Sequence, residues 1–167
     1  MNNSINNRLN MMPVYMRNLL KDPPNLLKNF HYEDVLSFLE MGKEERYNQG
    51  EIVVNENDRV GAAYLVAKGK VGIYRDEIQL AILDEGSFIG ETFLFSKQNR
   101  MAKVICEEKA ILLSFERYDV LSYFRKKPEK LFNIFTKNII EIQQKKINNM
   151  NVQLMNLKKR LLNSDNW

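Results

Sequence analysis

The residues whose types and spacing can do chemistry together are Gly90-Glu91-Thr92 and, ten residues after Gly90, Arg100-Met101-Ala102. Arginine is a permanent cation with a planar fork of donors that clamps a phosphate. A carboxylate such as Glu91 accepts hydrogen bonds from sugar hydroxyls, and glycine lets the backbone approach a ligand closely. Thr92 opens a short helical turn over Glu91 to Phe95 whose free N–H groups can point at the same phosphate. The backbone N–H groups of Met101 and Ala102 can add to them, and Ala102 is small enough for close approach. This is the chemistry of a nucleotide monophosphate pocket, which senses and does not catalyse.

Such a pocket needs a rigid frame. From Arg46 to Glu116 short apolar or alternating runs are separated by turn residues, the pattern of antiparallel β structure. The runs are Glu51 to Val54, Ala63 to Ala67, Lys70 to Tyr74, Ile78 to Leu83, Met101 to Cys106 and Ala110 to Phe115. Asn57-Asp58, Lys68-Gly69, Asp76-Glu77 and Glu85-Gly86 supply the turns. Many short strands in one small domain predict a jelly roll or barrel. Before it, helices are expected over Pro13 to Leu20 and Tyr32 to Met41; after it, over Glu116 to Arg125 and from Pro128 to about Leu162.

The last of these helices carries its own signal. Ile140, Ile147, Leu154 and Leu161 recur every seven residues, with Met150 and Leu157 between them and a polar break at Gln143. That is a coiled-coil seam for a parallel homodimer. The competing reading packs the helix wholly on its own barrel, which suits Leu131, Phe132 and Phe135 but not a seam running beyond Ile140.

The β-rich region, the Glu91 to Arg100 segment and the following helices resemble the cyclic nucleotide-binding domain of the catabolite activator protein, the regulatory subunits of protein kinase A and cyclic nucleotide-gated channels. The residues that carry the resemblance are Gly69-Lys70-Val71, Gly86-Ser87-Phe88-Ile89-Gly90-Glu91, and Arg100 in register with them, and it extends over approximately Phe30 to Leu162. It implies an α+β fold: an antiparallel β jelly-roll barrel flanked by N-terminal helices and a long C-terminal dimerisation helix. It divides the chain into 1–29, a flexible start and short helix; 30–127, the nucleotide-binding barrel with flanking helices; and 128–167, the long helix.

The same resemblance implies that Gly90, Glu91, Thr92, Arg100, Met101 and Ala102 hold the ligand, with Ile73, Leu80 and Ile89 as apolar walls and Gly72 and Gly90 leaving room. Glu91 then binds the ribose 2′-hydroxyl, or pairs with Arg100 and holds the empty pocket in shape; the two roles can coexist. Met101 stands where cGMP-selective eukaryotic members have threonine, which implies cAMP, although it is bulkier than the small residue common in cAMP sites. Asn57 replaces a common turn glycine and tolerates the left-handed conformation. A lid from the long helix would fall near Lys145, Lys146, Asn148 and Asn149, and none of them is assigned to that role.

Composition bounds the alternatives. With 167 residues, 44% hydrophobic and 28% charged, the chain holds one ordinary globular domain plus an extended element. The net charge of +4 is scattered, apart from Lys145, Lys146, Lys158, Lys159 and Arg160, and reads as a solvated helix face. No helix-turn-helix pattern follows the long helix before Trp167, so no nucleic-acid partner is expected. The single cysteine, Cys106, alternates with Ala102 and Val104 as a small buried hydrophobe, and the single histidine, His31, precedes the β region. Neither a metal site nor an enzyme's catalytic set can be assembled from them, and no cofactor is expected. The polar stretch Met1 to Asn10 lacks a signal peptide's apolar core, and nothing approaches the roughly 20 apolar residues of a membrane span. The expectation is a stand-alone cytoplasmic signal-transduction module whose output is made by an unknown downstream protein. The alternative is a dimeric scaffold that keeps the fold without a ligand.

Overall fold

The computed structural model describes residues 10–96 and 98–164. The polar start lies, except for Asn10, outside the described residues. Helix α1 (Val14–Lys21) follows Pro13 and stops before Pro23-Pro24; a 3-10 turn (Asn25–Leu27) leads into α2 (Tyr32–Met41), which Gly42 ends. Eight strands come next: β1 (Lys43–Tyr47), β2 (Ile52–Val54), β3 (Ala62–Lys68), β4 (Val71–Arg75), β5 (Ile78–Leu83), β6 (Phe88–Ile89), β7 (Lys103–Cys106) and β8 (Ala110–Glu116). Helices α3 (Arg117–Arg125) and α4 (Glu129–Ser164) end the described residues.

The strands form two four-stranded sheets, ordered β1-β8-β3-β6 and β2-β7-β4-β5, and every pairing is antiparallel. They face one another as the expected jelly-roll-like sandwich. Strand β3 is buried on both faces: Val66 joins Val54, Val71, Ile89, Val104, Cys106 and Leu112 between the sheets, while Ala63, Leu65 and Ala67 meet the helices. Alternation sends successive side chains to opposite faces, so this central strand reads as a continuous apolar run. Cys106 is buried there, and burial, with Glu51 and Glu107 nearby, pushes its thiol up to about 11.

The helices cover the outer face of the first sheet through an aromatic cluster. Phe38 of α2 stacks on Phe115 of β8 at 5.0 Å and meets Phe135 of α4 at 5.8 Å; Phe124 of α3 lies 4.8 Å from Phe135. Removing one such ring costs about 3–5 kcal/mol in cores of this kind, so this cluster is the joint between helices and sandwich. Asn138, buried beside it, donates to the carbonyls of Leu26 and Lys28 at 3.0 and 2.7 Å and pins α4 to the 3-10 turn.

At 1.5 Å per residue the 36 residues of α4 span about 54 Å. Leu131, Phe135 and Ile139 bury its first half, whereas every residue from 144 to 163 is exposed. No helix among the described residues is long and apolar enough to cross a membrane.

Three strands depart from the sequence reading. Strand β6 has only two residues, too few to show alternation, and its order comes from pairing with Tyr64 and Leu65 of β3. Strand β1 (KEERY) has no apolar pattern, yet it pairs with β8 over Lys43–Tyr47 because an edge strand can keep its charges in water. Strand β7 begins at Lys103, not Met101, since Met101 and Ala102 form the bend that leaves Arg100.

Candidate functional site

Arg100 is 8% exposed and lies inside the sandwich. Its backbone is held by the turn after β2: Arg100 N–H donates to the Asp58 carbonyl and its own carbonyl accepts from Asn57 N–H, both at 2.8 Å. Asn57 adopts φ +69°, the left-handed conformation expected of it. The guanidinium donates through Nη2 to the Ala62 carbonyl and stands 5.8 Å from the Tyr64 ring, while its buried Nε has no hydrogen-bond partner. Gly90, at φ +73°, makes the space: a Cβ there would come within 2.1 Å of Arg100 Nη1. Burial lowers the guanidinium pKa from its ordinary value, and Tyr64, Asp58 and Glu91 oppose that shift. A buried cation with an idle donor favours an anion beside it.

Glu91, 2% exposed, sits at the start of the turn that follows Gly90. That turn is closed by Phe93 N–H to the Gly90 carbonyl at 3.0 Å and by Phe95 N–H to the Thr92 carbonyl at 2.9 Å. Phe93 plugs the turn into the helix-side core, and Arg117, from the first position of α3, donates to the Phe93 carbonyl and to the Ser96 carbonyl, the latter at 2.9 Å. Phe95 meets Phe132 of α4 at 6.4 Å. The Glu91 carboxylate reaches α4 as well. Its Oε1 accepts from Gln143 Nε2 at 2.6 Å and forms an ion pair with Lys146.

The structure therefore brings Gly90 against Arg100, with Glu91 near enough to act on the guanidinium charge and Thr92 in the adjoining turn, and it sets Ile73 and Ile89 in the apolar cluster that also includes Tyr64 and Leu83. Leu80 is not brought in. It is the extra residue of a β-bulge between Ile73↔Ala81 and Tyr74↔Gln79 and is 54% exposed. Residues opposite one another in a sheet share a face, so Ala81 stands on the Ile73 side in its place. The room beside Gly72 is taken by Glu107 and Tyr74. Met101 is 67% exposed at the mouth of the segment, and Ala102 is half-buried behind it.

Ile140, Ile147, Met150, Leu154, Leu157 and Leu161 are all more than half exposed on α4. Gln143 falls in the same heptad frame but turns to Glu91. Sequence reasoning noted Gln143 only as a break in the seam and left Lys146 without a role. A polar residue at a seam position, with a lysine three residues on and hence on the same helix face, was the available signal. Arg117 gave none, since a single arginine before a helix carries no pattern.

Residues 44–127 match the family model described as the cyclic nucleotide-binding domain. The chain is 34% identical over 93 residues to the cyclic AMP receptor protein of Thermus thermophilus, covering 53% of this chain and 43% of that protein. It is 30% identical over 101 residues to human cGMP-dependent protein kinase 2, covering 57% of this chain and 13% of the kinase. The chain thus spans less than half the length of these curated relatives. Among solved structures, the Thermus thermophilus catabolite activator protein matches with a TM-score of 0.69 at 27% identity, over 80% of this chain and 63% of that one. A cyclic nucleotide-binding domain from Methylobacillus flagellatus shares the fold with a TM-score of 0.74 at 16% identity, over 84% and 83% of the two chains.

Proposed function

We propose, from the premise that this chain belongs to the cyclic nucleotide-binding domain family, that it is a cyclic nucleotide receptor, with cAMP as its ligand. The observation that carries the reading is the buried Arg100 guanidinium, whose Nε is unpartnered and which lies in the space left by Gly90. A cyclic phosphodiester brings one permanent negative charge and suits that cation. Glu91, next to Gly90 at the start of the turn, accepts the ribose 2′-hydroxyl. Ile73 and Ile89 face the base and sugar, and the backbone at Met101 and Ala102 closes on the phosphate. Met101 offers no hydroxyl for guanine, which favours adenine; the relatives' names include both a cyclic AMP receptor and a cGMP-dependent kinase and support either base.

The exposed second half of α4 supports a parallel homodimer. Most helical stability in proteins comes from packing an apolar face against a partner, and the heptad stripe from Ile140 to Leu161 suits a second copy. On this reading the ligand acts in the cytoplasm through α3 and α4 on a downstream protein. The second reading, a dimeric scaffold without a ligand, is favoured by one observation: Glu91 is already occupied by α4.

Equilibrium binding of cAMP, 2′-deoxy-cAMP and cGMP separates the two. A lost hydrogen bond to a charged group is worth about 1.5–3 kcal/mol, or roughly 10- to 150-fold. The deoxy analogue is expected to bind weaker by that factor, and cGMP weaker than cAMP. Equal binding of cAMP and its deoxy analogue would remove Glu91 from the sugar, and no binding of any of the three would favour the scaffold.

A further inference from the structure

We propose that Gln143 and Lys146 are resident occupants of the sugar subsite, and that a nucleotide binds by taking Glu91 from them. This rests on the receptor reading above and adds which contacts are exchanged. Only 3% of the Glu91 side chain is exposed, and two donors from α4 share its Oε1: the Gln143 amide at 2.6 Å and the Lys146 ammonium. A carboxylate has about four acceptor directions in all, roughly two per oxygen. A ribose hydroxyl reaching this oxygen therefore displaces a donor already seated there.

The displaced lysine has a second acidic neighbourhood. Lys146 also lines a cleft of about 370 Å³ between the 3-10 turn, the β5–β6 turn and α4, and Asp22 and Glu85 line the same cleft. An ammonium leaving Glu91 can turn toward these carboxylates without breaking α4.

The position of the contact gives the exchange its consequence. Below it, Phe135 and Ile139 are buried and Asn138 is bonded to the 3-10 turn; above it, every residue from 147 to 163 is exposed. The Glu91 contact thus ties the sandwich to the base of the projecting half of α4. Gln143 lies between Ile140 and Ile147 in the heptad frame, so the group that a sugar would displace belongs to the seam proposed for the dimer.

The sign of one mutational effect tests this. Lys146→Met keeps the aliphatic stem and removes the ammonium; Lys145→Met, on the exposed neighbour, is the control. Both are made in the full chain, titrated with cAMP and cGMP, and melted without nucleotide. The Lys146 side chain is 48% exposed, which puts the lost charge-assisted bond at the low end of its range, about tenfold. Lys146→Met should bind the preferred nucleotide about tenfold tighter and melt at a lower temperature when empty, and Gln143→Ala should shift affinity in the same direction. Lys145→Met should match the wild type in both. A variant that merely folds poorly loses affinity along with melting temperature, the opposite pairing. Unchanged affinity would show that the lysine is not displaced, weaker affinity that it holds the ligand, and either overturns the exchange. If no protein in the set binds either nucleotide, the receptor reading falls and the exchange with it.

Discussion

Replacing Arg100 with methionine should separate what this residue does for the ligand from what it does for the fold. Methionine keeps the length and removes the charge. In this structure the guanidinium gains one hydrogen bond to the Ala62 carbonyl and a place 5.8 Å from the Tyr64 ring. Those contacts are worth about 1.5–3 and about 0.5–2 kcal/mol. Against them stands a burial penalty of several kcal/mol for an ion taken out of water, with Nε left unpaired. The opposing contributions nearly cancel, so Arg100→Met should change ligand-free stability by no more than about 1 kcal/mol, where breaking a well-paired buried ion pair costs about 3–5. The effect with ligand is different. At a cAMP concentration 100 times the wild-type Kd, binding stabilises the wild type by about 2.7 kcal/mol. A 10- to 150-fold weaker variant gains only about 1.4 to 0.3 kcal/mol at the same concentration. Urea denaturation with and without nucleotide reads both quantities. A ligand-free loss above about 3 kcal/mol would make Arg100 a structural residue, and full ligand stabilisation in the variant would place the phosphate elsewhere.

Lysine substituted together at Ile147 and Leu154, which are 55% and 52% exposed, should give a monomer by sedimentation with the thermal transition of the sandwich intact; an unchanged oligomeric state would remove the seam. Tyr15 donates to Glu44 across α1 and β1, which lowers the Glu44 pKa, while burial and then that same bond push the Tyr15 hydroxyl up to about 12. The depressed carboxyl contributes stability above the unfolded value, about 4.3, and loses it as pH falls through the lower folded value. The raised hydroxyl contributes fully below its ordinary 10 and loses its contribution as pH rises toward 12. Tyr15→Phe should therefore cost about 1 kcal/mol at neutral pH, with the difference from wild type shrinking in melts below about pH 4; a gap that persists to pH 2 would contradict it.

The central strands were readable because burial on both faces leaves an apolar run, as in Ala62–Lys68. Strand β1 was not, because KEERY is charged and its order comes from pairing with β8. Glu91 and Arg100 stood out by residue type, since a carboxylate and an arginine near glycines have few structural uses. Leu80 was misplaced by a single bulge, because a one-residue slip sends a side chain to the other face. The α4 contacts to Glu91 depend on how the Phe38–Phe135 joint and the Asn138 bonds set that helix over the sandwich. Such long-range packing leaves no local pattern in residues 143 to 146 beyond a polar residue at a seam position with a lysine three residues on.

Calorimetric titration of the folded, nucleotide-free chain with cAMP tests the central claim most directly. The account predicts saturable heat with one nucleotide per chain, weakened by Arg100→Met. Folded and empty protein that yields no heat with cAMP or cGMP would contradict it.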